Sequence, residues 1–145
     1  MTVIAIKDGV LACDSGVFSL DGAYRGSVAK ALIMDDGYVI GMAGPCGAFA
    51  ALLAAAGGAG FAGYELPEDT SVLMLTPDGE VRQMDGPHMG WAVIDAPFHA
   101  IGSGAHIAIG AMAAGASAER AVEIACEWAE GCRGPVRIFK AGERP

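Results

Sequence analysis

The sequence predicts an α+β protein built as a four-layer αββα sandwich, two antiparallel sheets face to face with helices on their outer faces. Three observations carry that reading. The elements run as strands, one helix, more strands, two helices and a last strand, so helices do not alternate with strands as a parallel βαβ array requires. The strands are joined by dipeptides suited to tight hairpins. The chain is also rich in Ala and Gly, small residues that let helices lie close against sheets. Its 145 residues fit a single domain spanning 1–145.

Taken in order, short apolar runs from Val3 to Ala43 are broken by Asp8-Gly9, Asp21-Gly22 and Asp36-Gly37, each suited to the positive φ of a hairpin turn. This reads as one antiparallel meander. Good helix formers from Cys46 to about Ala56 end at Gly57-Gly58, and residues 57–69 read as a loop closing on Pro67-Glu68-Asp69. Strands resume at Ser71 to Leu75 and Glu80 to Met84, then at Trp91 to Ile94 and Phe98 to Ile101, forming a second hairpin layer. Gly104 to Ala114 is helical by composition. Ser117 is placed to N-cap a further helix whose stripe is Ala121, Ile124, Ala125 and Trp128, at i, i+3, i+4 and i+7. Val136 and Ile138, interleaved with Arg137 and Lys140, read as a closing strand.

Composition removes several function classes. Hydrophobic residues make up 53% and charged residues 18%, too apolar for intrinsic disorder. The net charge of −8, with nine scattered Lys and Arg, lacks the positive patch that nucleic acid demands, so a macromolecular partner is read by shape or backbone. No membrane association is expected. Residues 40–63 carry no charge, but they include seven glycines and Pro45 and lack the Leu and Ile bulk of a span, so they read as a buried strand and helix. Four cysteines without a CxxC, and no secretory leader pattern, fit a reducing cytoplasm.

Familiar catalytic motifs are mostly missing. Gly58-Ala59-Gly60-Phe61-Ala62-Gly63 is a literal GxGxxG, but it trails a helix where a dinucleotide loop opens one. His88, His99 and His106 form no HxH or HxxxH pair, so neither a metal nor a cofactor is expected. There is no GxSxG elbow. What remains is Thr2, which becomes the first residue if Met1 is removed, as is usual before a small side chain. A terminal threonine carries both a hydroxyl nucleophile and an α-amino group that ordinarily titrates at about 7.7–8.0, a suitable base near neutrality.

The run from Thr2 to Ser15, Thr-Val-Ile-Ala-Ile-Lys-Asp-Gly-Val-Leu-Ala-Cys-Asp-Ser, closely resembles the start of proteasome β-type and HslV-type subunits. The resemblance continues in register through Ser27-Val28-Ala29-Lys30, Gly41-Met42-Ala43-Gly44 and Ala100-Ile101-Gly102-Ser103-Gly104. It covers nearly the whole chain. It implies the N-terminal-nucleophile hydrolase fold and a threonine peptidase, with Thr2 as nucleophile and Lys30 as the buried cation that eases ionisation of its hydroxyl and amine. It further implies Asp14 as the carboxylate holding Lys30, Gly44 N–H as donor to the oxyanion, and Ser103 as partner of the terminal amine. An isolated buried ammonium is costly, so Asp14 is required physically as well. By the same alignment Val17, Val28, Met42 and Cys46 line the pocket for the residue before the scissile bond. All four are uncharged, which fits hydrophobic residues there.

The substrate implied is a peptide or unfolded protein bound as an added strand, the assembly a homo-oligomer, and the partner an ATPase unfoldase. Departures from the family pattern are specific. The interval from Thr2 to Asp14 is shortened, which reads as a tightened hairpin at Asp8-Gly9; Gly16 stands where the family has a basic or polar residue. The family's Asp and Ser before the last strand have no match in Ala129 to Gly134, where Glu130 and Cys132 are the candidates. The segment between Gly44 and Ser71 has room for one helix where the family carries a long helical pair, which bears on assembly and on docking of the ATPase. Two rival readings are a non-catalytic scaffold subunit that keeps Met1, and an amidase for small acylated molecules.

Overall fold

The computed structural model describes residues 1–45, 66–87 and 90–143. Asp8-Gly9 takes positive φ at both positions, 52° and 72°, so the turn twist matches the strands and pairs β1 (Ile4–Lys7) with β2 (Val10–Cys13). The chain continues through β3 (Gly16–Phe18), β4 (Tyr24–Ser27), β5 (Ala31–Ile33), β6 (Val39–Ala43), β7 (Ser71–Leu75), β8 (Val81–Asp85), β9 (Ala92–Val93) and β10 (Phe98–Ile101). Helices α1 (Ala105–Ala113) and α2 (Ala118–Trp128) and strand β11 (Arg137–Lys140) complete it. Three antiparallel sheets result: β10-β1-β2-β11, the β3-β4 ribbon, and β5-β6-β7-β8-β9.

The expected single meander is therefore divided. After β2 the chain leaves the first sheet, makes its own ribbon, and enters the larger sheet at β5. The expected second hairpin layer is also divided, since β9 joins β8 while β10 crosses to β1. Strand periodicity fixes which faces are buried, not which edge a strand joins.

Alternation along β1 builds two interfaces at once. Val3 and Ala5 point to one face and pack with Ala108, Met112, Ala121 and Ala125 of the two helices. Ile4 and Ile6 point to the other and pack with Val39, Leu73 and Leu75 of the five-stranded sheet. The helix-facing core is thus mostly alanine and the sheet-facing core mostly branched aliphatic, as the small-residue argument requires. Gly41 shows how close the sheets come: a Cβ there would lie 2.9 Å from Ile4 Cδ1. Beyond the second sheet, Ile40, Met42, Val72, Met74, Met84 and Leu66 form a third apolar cluster. The helix expected from Cys46 to Ala56 and the glycine-rich run of 58–63 lie outside the described residues. No helix among the described residues is long and apolar enough to cross a membrane.

Ser117 caps α2 as expected, its side chain accepting from Arg120 N at 3.1 Å. The buried stripe is rotated from the expected one: Ala118, Ala121, Val122 and Ala125 face inward, while Trp128 is 77% exposed. The large Trp had drawn the stripe toward itself; small residues win because the sheet approaches too closely for an indole. Lys7 crosses from β1 to the end of α1, donating to Met112 O at 3.2 Å and Ala116 O at 2.9 Å beside the Phe98 ring. It supplies a cation at the C-terminal end of α1, where the helix dipole favours positive charge. Replacing Lys7 by Met removes both bonds and is expected to cost about 1–2 kcal/mol, lowering Tm by about 3–6 °C in a thermal melt.

Candidate active site

Thr2 precedes the innermost edge of β1, so its backbone is fixed by the strand that follows. It is 5% exposed. Its carbonyl accepts from Gly104 N at 3.1 Å, and its N–H donates to Ser103 Oγ at 3.1 Å. The close approach depends on glycine: at Gly102, with φ +96°, a Cβ would lie 2.2 Å from Thr2 O. Ser103 Oγ also reaches Thr2 O at 3.3 Å and Cys132 Sγ at 3.9 Å. Once the serine proton points to Thr2 O, the thiol is the donor in the last contact.

Lys30 and Asp14 form the only ion pair among the described residues in which both members are buried, with Nζ to Oδ2 2.9 Å. Lys30 Nζ also donates to Met1 O at 2.9 Å, which places its ammonium against the peptide bond that joins Met1 to Thr2. Asp14 is saturated: Oδ1 accepts from Val3 N at 3.0 Å, and Oδ2 from Arg133 N at 3.3 Å as well as from Lys30. Such pairing offsets the large desolvation cost of two buried charges. Asp14 thereby ties the lysine, the strand carrying Thr2 and the loop before β11 together.

The 131–135 loop answers two of the departures noted above. Cys132 sits beside Ser103, whereas Glu130 is exposed. Arg133 lies against Gly16: a Cβ at Gly16 would come within 2.8 Å of Arg133 Cβ, and Arg133 O accepts from Ser15 N and Gly16 N. The Arg133 guanidinium stacks on the Tyr24 ring at 3.9 Å. Nothing in the spacing of these residues marks them, because they act through backbone atoms or close contact. Burial pushes the Cys13 thiol up to about 12 and raises Cys132 as well, with the Asp14 carboxylate adding to both. Neither is a thiolate near neutrality, so neither is poised as a nucleophile.

An open cleft runs over Thr2 in two halves. One is lined by Val17, Phe18, Val28, Lys30 and Met42. The other is lined by Asp69, Ser71, Gly102 and Ser103, and Gly44 borders both. Three of the four residues expected around the apolar pocket are thus together. The fourth, Cys46, lies outside the described residues. Phe18 went unforeseen because strict alternation on β3 puts it opposite Val17; the register shift between Val17 and Phe18 breaks that alternation. Gly44 admits no side chain, since a Cβ there would meet Thr70 Cγ2 at 2.4 Å. Thr2, Asp14, Lys30, Gly44 and Ser103, 101 positions apart at the extremes, therefore converge on one spot.

Comparison with solved structures bears on this arrangement. The chain superposes on eukaryotic HslV from Trypanosoma brucei with a TM-score of 0.69 at 19% identity, covering 96% of this chain and 98% of that one. It has the HslV fold. The same HslV-like architecture is shared with Thiobacillus denitrificans BPH, at a TM-score of 0.67 and 21% identity over 95% of each chain. It is shared too with that protein in complex with epoxomicin, at 0.65 and 19% identity over 95% of this chain and 96% of that one. No protein-family model matches the chain, and no curated protein does.

Proposed function

We propose that this chain, once Met1 is removed, is a threonine-type peptidase of the proteasome β and HslV kind. The observation that carries the reading is the Lys30 ammonium, buried, braced by Asp14 and hydrogen-bonded at the Met1–Thr2 peptide. In the reaction, the freed α-amine takes the Thr2 hydroxyl proton as the oxygen adds to the substrate carbonyl. Gly44 N–H donates to the resulting oxyanion, a contribution worth about 2.7–4 kcal/mol in other hydrolases. The amine then returns its proton to the departing nitrogen, and water releases the acyl group from Thr2. Ser103, backed by Cys132, orients the amine. Val17, Val28, Met42 and Cys46, with Phe18, receive an apolar residue before the scissile bond.

The rest of the assignment follows the same reading. The apolar cluster of Ile40, Met42, Val72, Met74, Met84 and Leu66 on the five-stranded sheet supports a further layer covering that face. The HslV-like fold supports a homo-oligomer acting on peptides or unfolded protein with an ATPase unfoldase as partner, and cysteine usage is the ground for placing it in the cytoplasm. Because an HslV-like neighbour is known with epoxomicin bound, that compound is the probe of choice. Protein beginning at Thr2, incubated with epoxomicin, is expected to gain one adduct that mass spectrometry maps to Thr2. A Thr2→Ala chain should gain none. An adduct elsewhere, or none on the Met1-free protein, rejects the peptidase reading and favours a scaffold.

A further inference from the structure

The two halves of the cleft differ in charge, and the chemistry says which part of a substrate enters each. The proton for the leaving amine comes from the Thr2 nitrogen, and that nitrogen is bonded to Ser103. Ser103 lines only the half that also holds Asp69 and Ser71. The departing, amine-bearing side of a substrate must therefore lie over Asp69. Among the described residues, Asp69 is the single charged side chain lining that half, and no cation pairs with it.

Its position is fixed, although it is exposed. Asp69 holds φ at +63°, a left-handed conformation. The next residue locks the turn: Thr70 Oγ1 donates to Pro67 O, Thr70 O accepts from Gly86 N at 2.9 Å, and the Thr70 side chain fills the space beside Gly44. Ser71 then enters β7 opposite Asp85 and donates to it at 2.6 Å. A carboxylate is thus carried on a braced turn next to the glycine proposed to hold the oxyanion. On the other side of Thr2, the charged group is Lys30, already neutralised by Asp14.

From this we infer that Asp69 sets specificity on the leaving-group side, selecting peptides with Lys or Arg just after the scissile bond over those with Asp or Glu. The inference rests on the peptidase reading. It is tested with internally quenched peptides that share an apolar residue before the cleaved bond and differ, Lys or Glu, after it, alongside an aminocoumarin amide that has no residue there. An exposed carboxylate and a cation at a surface cleft should give a kcat/KM ratio of about fivefold in favour of Lys, shrinking as salt is raised. Asn tolerates the left-handed conformation, so Asp69→Asn keeps the turn and brings the ratio close to one, while Asp69→Lys inverts it. A Lys/Glu ratio near one in Met1-free wild-type protein that cleaves these substrates overturns the inference and leaves the peptidase standing. The same holds if both variants keep the wild-type ratio. No cleavage of any peptide or of the coumarin amide removes both.

Discussion

Protein whose chain begins at Thr2 is expected to hydrolyse a fluorogenic peptide amide at least about a thousandfold faster than the same chain carrying Met1 or bearing Thr2→Ala, by analogy with loss of a nucleophile in other hydrolases. Two effects combine. With Met1 attached, the nitrogen of Thr2 is an amide and cannot accept a proton. The Met1 carbonyl also occupies Lys30 Nζ at 2.9 Å, holding the cation on a peptide oxygen. Removing the residue frees both groups at once. Comparable turnover with Met1 retained, confirmed by intact mass, contradicts the assignment of the amine as base.

The second large effect is on stability as well as rate. Asp14 is fully buried and Lys30 nearly so, and taking away one member of such a pair strands the other. Lys30→Met or Asp14→Asn should each cost about 3–5 kcal/mol in urea unfolding and reduce turnover of Met1-free protein by about a hundredfold or more. The double variant should lose less than the sum of the singles, because the stranded charge is gone. Additive losses would mean that the pair is not coupled. Undiminished turnover in Lys30→Met would remove the lysine from the mechanism.

Asp14, Lys30, Gly44 and Ser103 stood out only through the resemblance of their short runs to proteasome β-type and HslV-type subunits; the hairpin at Asp8-Gly9 was legible in the chain itself, because that dipeptide has few other uses. Arg133 and Phe18 were not, and Cys132 stood only as one of two candidates beside Glu130. Arg133 contributes a main-chain N–H to Asp14, which any residue could supply, and Cys132 acts by proximity alone. Pairing across sheets was hidden for a related reason: β9 and β10 look like one hairpin locally, and only the competition for the edges of two separate sheets divides them. Trp128 stays in solvent although it is the largest hydrophobic residue of its helix, because alanines fill the close contact with the sheet.

The strand that opens at Thr2 is confined on both faces, by alanines below the helices and by branched side chains of the opposing sheet. Thr2, the proposed nucleophile, therefore hangs from the least alterable part of the molecule. A lineage built on this plan can hardly move that residue by mutation, so new substrate tastes are expected at exposed side chains that border the cleft, such as Asp69, and not in the strand itself.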